Sequence, residues 1–109
     1  MDNSQLLRGI LEQCVLAEIS RGETYGYEIL TKLSEKGFDQ LIEGTLYPVL
    51  TRLHKKGWIA CRAVKSPFGP SRKLYAITEE GQRELDAFRE IYRAFHHSVE
   101  QIVYGEGET

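Results

Sequence analysis

One stretch of this sequence, residues 44–78, contains seven lysine or arginine side chains and no aspartate or glutamate. The other seven basic residues share the rest of the chain with all 16 acidic residues, so the net charge of −2 conceals a strongly basic segment. Clustered cations can bind a polyanion, because each one placed on a phosphate releases condensed counterions. The alternative is a solvated basic surface that contacts no partner. The seven residues are Arg52, Lys55, Lys56, Arg62, Lys65, Arg72 and Lys73.

Cysteine and histidine do not stand at spacings that indicate catalysis or metal binding. Cys14 and Cys61 form no CxxC pair, and His54, His96 and His97 do not stand at ligand spacing from either cysteine. In a reducing compartment the two thiols are expected to be small buried hydrophobes, and a redox sensor is the alternative. The sequence also contains no phosphate loop, zinc-protease helix motif or nucleophile elbow. We therefore expect no enzyme, no metal and no cofactor.

Length and composition are those of an ordinary globular domain. The 109 residues are 41% hydrophobic and 28% charged. No run approaches the roughly 18–20 apolar residues that span a bilayer. The first twenty residues are interrupted by charges and lack the small-residue cleavage site of a signal peptide. We expect a cytoplasmic protein without a membrane partner.

Apolar periodicity predicts three helices before the hairpin. Residues 5–20 are apolar on most of the circumference, as expected for a helix buried both by its own domain and by a second subunit. Thr24 is expected to cap a second helix over Tyr25–Lys36. Thr45 is expected to cap a third helix that ends at Gly57, with Pro48 in its first turn, where a missing N–H costs nothing.

Alternating residue types after the third helix predict a β-hairpin. Residues 58–65 and 72–77 form the two expected strands, and residues 66–70, with two prolines and a glycine, form the turn. Thr78 is expected to cap a last helix that has two glutamates in its first turn.

The last helix carries an apolar seam with alternating steps of three and four residues, which is typical of coiled-coil a and d positions. An intramolecular core stripe is the alternative. However, the first three helices are expected to bury one another, so a helix of about 25 residues would project beyond them. We therefore expect a homodimer. The expected interface consists of Leu7, Leu11, Leu85, Phe88, Tyr92, Phe95, Val99 and Ile102.

The predicted elements follow the order of a winged helix-turn-helix: two helices, a short turn, a third helix and a hairpin. The predicted fold class is mainly α with a β-hairpin wing (α+β), extended by a long C-terminal dimerisation helix. Residues 1–78 form the expected DNA-binding domain, residues 79–104 the dimerisation helix, and residues 105–109 a disordered tail. The basic residues fall on the third helix and on the wing, the two elements that contact DNA in this fold.

Six segments resemble the PadR family of bacterial transcriptional regulators, in order from about residue 6 to residue 83. They are Leu7-Arg8-Gly9, Tyr25-Gly26-Tyr27-Glu28-Ile29, Glu43-Gly44-Thr45-Leu46-Tyr47-Pro48, Arg52-Leu53, Gly69-Pro70 followed by Arg72-Lys73, and Leu74-Tyr75-Ala76-Ile77-Thr78-Glu79-Glu80-Gly81. The single C-terminal helix resembles the small subfamily. The resemblance implies a homodimeric repressor, often of a transporter or detoxification gene, that a small effector releases from DNA.

The expected partner is double-stranded DNA carrying an inverted-repeat operator. Arg52 is the expected bidentate reader of guanine, and a salt bridge to an acidic neighbour such as Glu43 is the alternative. Tyr47 either contacts DNA or braces the helices. The expected DNA-binding residues are Tyr25, Tyr27, Thr45, Tyr47, Pro48, Thr51, Arg52, Lys55, Lys56, Lys65, Arg72 and Lys73.

Family members that bind drugs enclose them in an apolar dimer pore, so the resemblance implies an effector site on the last helix. Phe88, Tyr92, Phe95 and His96 are the candidate pocket for a planar aromatic or phenolic compound. The alternative is that this aromatic stripe is only dimer interface. Tyr92 stands where the family's drug binder has a tryptophan, so the identity of the ligand does not carry over. The alternative function is a winged helix that contacts proteins and has lost DNA binding.

Overall fold

The computed structural model describes residues 4–7 and 9–105, and its elements follow the order of a winged helix. They are α1 (Ser4–Leu7), α2 (Leu11–Ile19), β1 (Thr24–Tyr25), α3 (Gly26–Glu35), α4 (Glu43–Lys55), β2 (Ile59–Ser66), β3 (Gly69–Ile77) and α5 (Glu79–Tyr104). The predicted fold class, mainly α with a β-hairpin wing and a long C-terminal helix, is confirmed. No helix within the described ranges has the length and apolar character needed to cross a membrane.

The core is a single apolar cluster in which α2, α3 and α4 pack on one another, on the sheet and on the start of α5. Burying each large side chain stabilises the fold by about 1.5–3 kcal/mol. Leu11 and Leu85, predicted at the dimer interface, belong to this core and are only 8% and 1% exposed. The cluster comprises Leu11, Val15, Leu16, Ile19, Ile29, Leu33, Leu46, Val49, Leu50, Leu53, Ile59, Tyr75 and Leu85.

The three-stranded antiparallel sheet has the order β1-β3-β2, and it corrects the expected start of the second helix. Thr24 is not a helix cap, because it pairs with Tyr75 as part of β1 and is buried. The helix begins one residue later, at Gly26. The Glu28 carboxylate accepts hydrogen bonds from the Tyr25 N–H (3.0 Å) and from Thr24 Oγ1 (3.3 Å), so this acidic side chain secures the helix N-terminus.

Two other predicted helix starts also differ. The expected N-terminal helix is two helices, because the backbone turns at Gly9 and Ile10 (Ile10 φ −129°, ψ 0°). The third helix begins at Glu43, and Ile42 rather than Thr45 is its N-cap. Pro48 therefore lies in the second turn, where it removes the hydrogen bond that the exposed Gly44 carbonyl would otherwise accept.

The hairpin is longer and tighter than the sequence predicts. Strand pairing continues to Ser66 and Gly69, so the turn is only two residues, Pro67 and Phe68. The Phe68 side chain at the tip is 98% exposed. The wing is therefore a tight hairpin that ends in an exposed aromatic side chain.

The junction between the wing and α5 is fixed by Thr78. Its Oγ1 accepts the Gly81 N–H (3.0 Å) and donates to the Gly57 carbonyl (2.7 Å), and its N–H donates to the Trp58 carbonyl (3.0 Å). A β-carbon on Gly81 would lie 2.0 Å from the Trp58 oxygen, so α5 can approach this loop only because residue 81 has no side chain. The junction thus sets the direction in which α5 leaves the domain.

The 26 residues of α5 extend for about 39 Å, and only Gly81 and Leu85 in its first two turns are buried. The radius of gyration is 16.1 Å, whereas a compact chain of this length would have about 13 Å. Gly105 caps the helix with a φ of 85°. The rest of the predicted tail, residues 106–109, lies outside the described residues.

Candidate nucleic-acid interface

The outer face of α4 is the centre of the candidate interface. Helix residues advance by about 100° each, and the buried positions Leu46, Val49, Leu50 and Leu53 define the inner face. The opposite direction is therefore occupied by Thr51 and Lys55, both exposed. Tyr47 lies on one flank of this face, and Arg52 lies on the other.

A groove of about 530 Å³ separates α4 from the N-terminus of α3 and from the wing. Its lining includes six predicted DNA-binding residues, which are Tyr25, Tyr27, Tyr47, Thr51, Arg72 and Lys73. A β-carbon at Gly26 would be 3.0 Å from Tyr47 Oη, so the Tyr47 ring rests on this glycine. Since the ring is also 42% exposed, Tyr47 both braces the two helices and presents a surface to solvent.

The wing is attached to α3 through aromatic contacts. The Tyr25 and Tyr27 rings stack with their centroids 5.9 Å apart. The Arg72 guanidinium lies 5.4 Å from the centroid of the Tyr27 ring, within cation–π range. The second contact holds a wing cation against the start of α3, in the groove that α4 also lines.

Four cations on this surface have no acidic neighbour in the part of the chain that the structure describes. Lys55, Lys65, Arg72 and Lys73 are exposed, and no described carboxylate lies within the 4.0 Å of an ion pair. Lys55 is on α4 and the other three are on the wing. This face is therefore an uncompensated positive surface.

The other three cations of the basic segment are paired with the N-terminal part of the chain. The Glu12 carboxylate accepts hydrogen bonds from Arg52 Nε (3.0 Å) and Lys56 Nζ (2.9 Å). Glu23 accepts from Arg62 Nε (3.2 Å), and this hydrogen bond raises the pKa of Arg62. The alternative foreseen for Arg52, a salt bridge, therefore exists, but its acceptor is Glu12 instead of Glu43.

Glu12 is held in its charged form. Partial burial opposes ionisation, but the hydrogen bonds from Lys56 and Arg52 outweigh it and keep the pKa of Glu12 below its ordinary value. Lys56 Nζ also lies 4.6 Å from the centroid of the Trp58 ring. Lys56 is thus engaged on two sides by its own chain.

The other six predicted residues do not line the groove beside the wing. Thr45 and Pro48 line a second groove of about 670 Å³ with Leu7, Phe38 and the Glu12–Arg52 pair. Lys65 lies near the wing tip, in a small recess shared with Pro67 and Arg72. The structure therefore brings six predicted residues together and places the others around them.

Sequence reasoning did not find Glu12, Glu23 or Phe68. Each glutamate meets its arginine across about 40 positions of sequence, and no local pattern indicates such a pair. Phe68 was assigned to the turn by composition alone. Its exposure follows from the tightness of the hairpin, which the sequence does not specify.

On α5, the aromatic residues form a ladder along one face of the helix. The centroids of Phe88 and Tyr92 are 5.4 Å apart, and those of Tyr92 and His96 are 5.7 Å apart. Phe95, the fourth predicted pocket residue, is 63% exposed. Ile91, which was not predicted, is 70% exposed and widens the apolar face.

The cysteines are free thiols in partly buried positions. Burial, followed by the negative charge of Glu18, raises the pKa of Cys14 and disfavours the reactive thiolate. Within the described ranges, no three histidine, cysteine, aspartate or glutamate side chains are placed to hold a metal ion.

Known proteins share both the sequence and the architecture. A model of the transcriptional regulator PadR-like family matches residues 15–87. An uncharacterised protein of Lysinibacillus sphaericus is 37% identical over 87 residues, which cover 78% of this chain and 80% of that protein. The negative transcriptional regulator PadR of Bacillus subtilis is 28% identical over 78 residues, covering 70% of this chain and 43% of that longer protein.

Solved structures agree with this relationship. The crystal structure of a PadR-like transcriptional regulator from Bacillus cereus superposes with a TM-score of 0.84 and 41% identity, over 94% of this chain and 100% of the other. A Streptococcus transcriptional regulator superposes with a TM-score of 0.79 and 41% identity, over 91% and 97% of the two chains. The chain therefore belongs to the PadR family and is a DNA-binding transcriptional regulator.

Proposed function

We propose that this regulator is a homodimeric repressor that binds an inverted-repeat operator through α4 and the wing. The observation that carries the proposal is the coincidence of charge and shape on one face. Lys55 on α4 and Lys65, Arg72 and Lys73 on the wing form no ion pair with a described carboxylate. These two elements border the groove in which Tyr27 and Tyr47 are partly exposed. A duplex can be held there by phosphate contacts while α4 faces base edges.

The proposal assigns different roles along this surface. Thr51 and Lys55 face the major groove from the centre of α4, and Arg52 reads a base from the flank. The wing cations, Lys65, Arg72 and Lys73, bind DNA phosphates. The DNA backbone next to these phosphates is contacted by Tyr25, Tyr27 and Tyr47. Thr45 and Pro48 lie near the start of α4, beside the path by which DNA reaches this helix. Lys56 supports the end of α4 through Glu12 and Trp58, and this replaces its expected direct contact with DNA.

The dimer is proposed from the exposed apolar face of α5. Phe95, Ile102 and Ile91 are between 63% and 82% exposed, although each could bury enough surface to contribute about 1.5–3 kcal/mol. A second copy of the same helix covers such a face symmetrically. Residues 1–78 then act as the DNA-binding unit and residues 79–104 as the dimerisation helix. The proposed location is the cytoplasm, where a bacterial chromosome is found.

Base reading and phosphate binding are separable by mutation. Arg52→Ala should weaken operator binding by about 1–3 kcal/mol and relax the preference at one base pair of each half-site. Lys73→Ala should weaken binding to all sequences alike and reduce the slope of log K against log salt by about 1 for each contact. Titrations of operator and random duplexes at several salt concentrations measure both effects. If Arg52→Ala loses equal affinity for operator and random DNA, Arg52 is a phosphate contact instead.

The proposed effector site lies where two α5 helices meet. The ladder of Phe88, Tyr92 and His96 presents stacked ring faces, which suit a planar aromatic or phenolic compound enclosed by two protomers. Such a compound lowers operator affinity only if it binds one dimer geometry better than the other.

Tyr92→Ala should abolish or strongly weaken ligand binding and ligand-induced release, because it removes the middle ring of the ladder, while leaving ligand-free operator binding within about threefold of wild type. Calorimetry with a panel of planar dyes and phenolic acids measures binding, and operator titrations with each compound measure release. If wild type binds none of the panel, or if Tyr92→Ala binds them equally well, the ladder is interface only.

A further inference from the structure

The contact between Glu12 and Arg52 joins the N-terminal part of the domain to the flank of α4, the helix proposed to read bases. Glu12 lies on α2, and its carboxylate oxygens accept hydrogen bonds from Arg52, in the last turn of α4, and from Lys56, the residue that caps the C-terminus of α4. The Glu12 side chain is 26% exposed, whereas those of Arg52 and Lys56 are 54% and 42% exposed. The carboxylate is therefore more sheltered than the two cations that it holds.

The atoms used in this contact leave the end of the arginine available. The hydrogen bond engages Nε, and within the described residues Nη1 and Nη2 have no hydrogen-bond partner. A guanidinium pairs with the O6 and N7 atoms of guanine through two N–H groups in one plane. An arginine that is fixed at Nε can still offer this end-on pair.

We infer that Glu12 is a positioning residue for base recognition: it orients the Arg52 guanidinium for end-on pairing with guanine before DNA arrives. The inference rests on the proposed role of Arg52 as a base reader. Holding a long, flexible side chain in advance reduces the ordering that must accompany binding. This favours the one base that matches the fixed geometry.

The alternative interpretation is that the Glu12 carboxylate only mimics a DNA phosphate and so keeps Arg52 away from DNA. Two observations favour positioning. Two cations share the one carboxylate, so the cluster keeps a net positive charge toward an approaching duplex. Lys56, which also rests on Trp58, shields the carboxylate and would remain on it after Arg52 engages a base.

A double-mutant cycle on DNA specificity tests the inference. Glu12→Ala should lower the ratio of operator to random-duplex affinity by about three- to tenfold, with the loss confined to the base pair that Arg52→Ala also relaxes. In the Arg52→Ala background, Glu12→Ala should leave that ratio unchanged. Glu12→Gln, which keeps an acceptor oxygen, should fall between wild type and Glu12→Ala. Circular dichroism checks that every variant is folded.

Glu23→Ala is the matched control, because it removes a carboxylate from Arg62 at a comparable sequence distance but does not touch α4. It should leave the specificity ratio unchanged. The inference is overturned if Glu12→Ala raises operator and random affinity by the same factor, since Glu12 is then only a competitor. It is also overturned if Glu12→Ala lowers the ratio by the same factor in the Arg52→Ala background as in the wild type. Wild-type protein that prefers no sequence would overturn the proposed function, and this inference with it.

Discussion

Phe95→Glu should convert the proposed dimer into a monomer at micromolar concentration and abolish tight operator binding. Phe95 is 63% exposed in one protomer and lies at the centre of the apolar face of α5. In a symmetric dimer, each copy of the substitution would place an unpaired carboxylate in an apolar seam, which costs several kcal/mol. A monomer contacts only one half-site, so the affinity gained by joining two half-sites is lost as well.

Sedimentation velocity over a concentration series measures this effect, and Ala94→Glu is the matched control. Ala94 precedes Phe95 and is also exposed, but it points away from the apolar seam by about 100°. The control should remain dimeric and bind the operator. A Phe95→Glu protein that sediments as a tight dimer would show that α5 does not form the interface.

Gly81→Ala should destabilise the protein by about 1–3 kcal/mol or prevent it from folding, through overpacking at the junction of the wing and α5. The added carbon would lie 2.0 Å from the Trp58 carbonyl oxygen and 3.0 Å from Ile77 Cγ1. The backbone oxygen cannot move aside without disturbing the hydrogen bond that it accepts from the Thr78 N–H. Urea unfolding at equal protein concentration gives the change in stability.

Gly9→Ala provides the comparison for this measurement. A β-carbon at Gly9 would have no neighbour within 4 Å among the described residues, so alanine should be neutral or mildly stabilising there. Unfolding midpoints for Gly81→Ala equal to those of Gly9→Ala would contradict the packing of α5 on the loop at Trp58.

The elements that the sequence predicted well are those with local signals. The apolar spacing within α4, the alternation in the hairpin and the Thr78 cap each depend on residues a few positions apart. The start of the second predicted helix was less predictable, because pairing with a distant strand decides it. The sequence around Thr24 is typical of a helix cap, but Thr24 pairs with Tyr75, 51 positions later, and is therefore part of the sheet.

The candidate interface was predictable as a set of residue types but not as an electrostatic surface. The acid-free window correctly located α4 and the wing, but it did not indicate which carboxylates pair with Arg52, Lys56 and Arg62. Their partners, Glu12 and Glu23, come from the N-terminal part of the chain and are brought near only by the packing of α2 and the loop after it. A single sequence contains no local pattern that predicts tertiary contacts of this kind.

The apolar seam of α5 shows likewise that a sequence period predicts a helix face but not which of its residues the domain buries. The steps of three and four identified Phe95, Val99 and Ile102 on an exposed face of α5. The same steps also included Leu85, which the first turns of α5 bury against the domain. Periodicity indicates an apolar helix face, and the fold shows which part of that face the same chain covers.

Footprinting of the wild-type protein on a selected genomic fragment tests the central claim most directly. The fragment is chosen by repeated rounds of binding, and the footprint is repeated across a salt series. Protection of an inverted repeat with half-site centres about 10–10.5 base pairs apart, or a multiple of this, and an affinity that falls steeply with salt are the expected results. Protection of a single unrepeated site, or binding that does not change with salt, would contradict the account of a dimer that holds DNA through α4 and the basic wing.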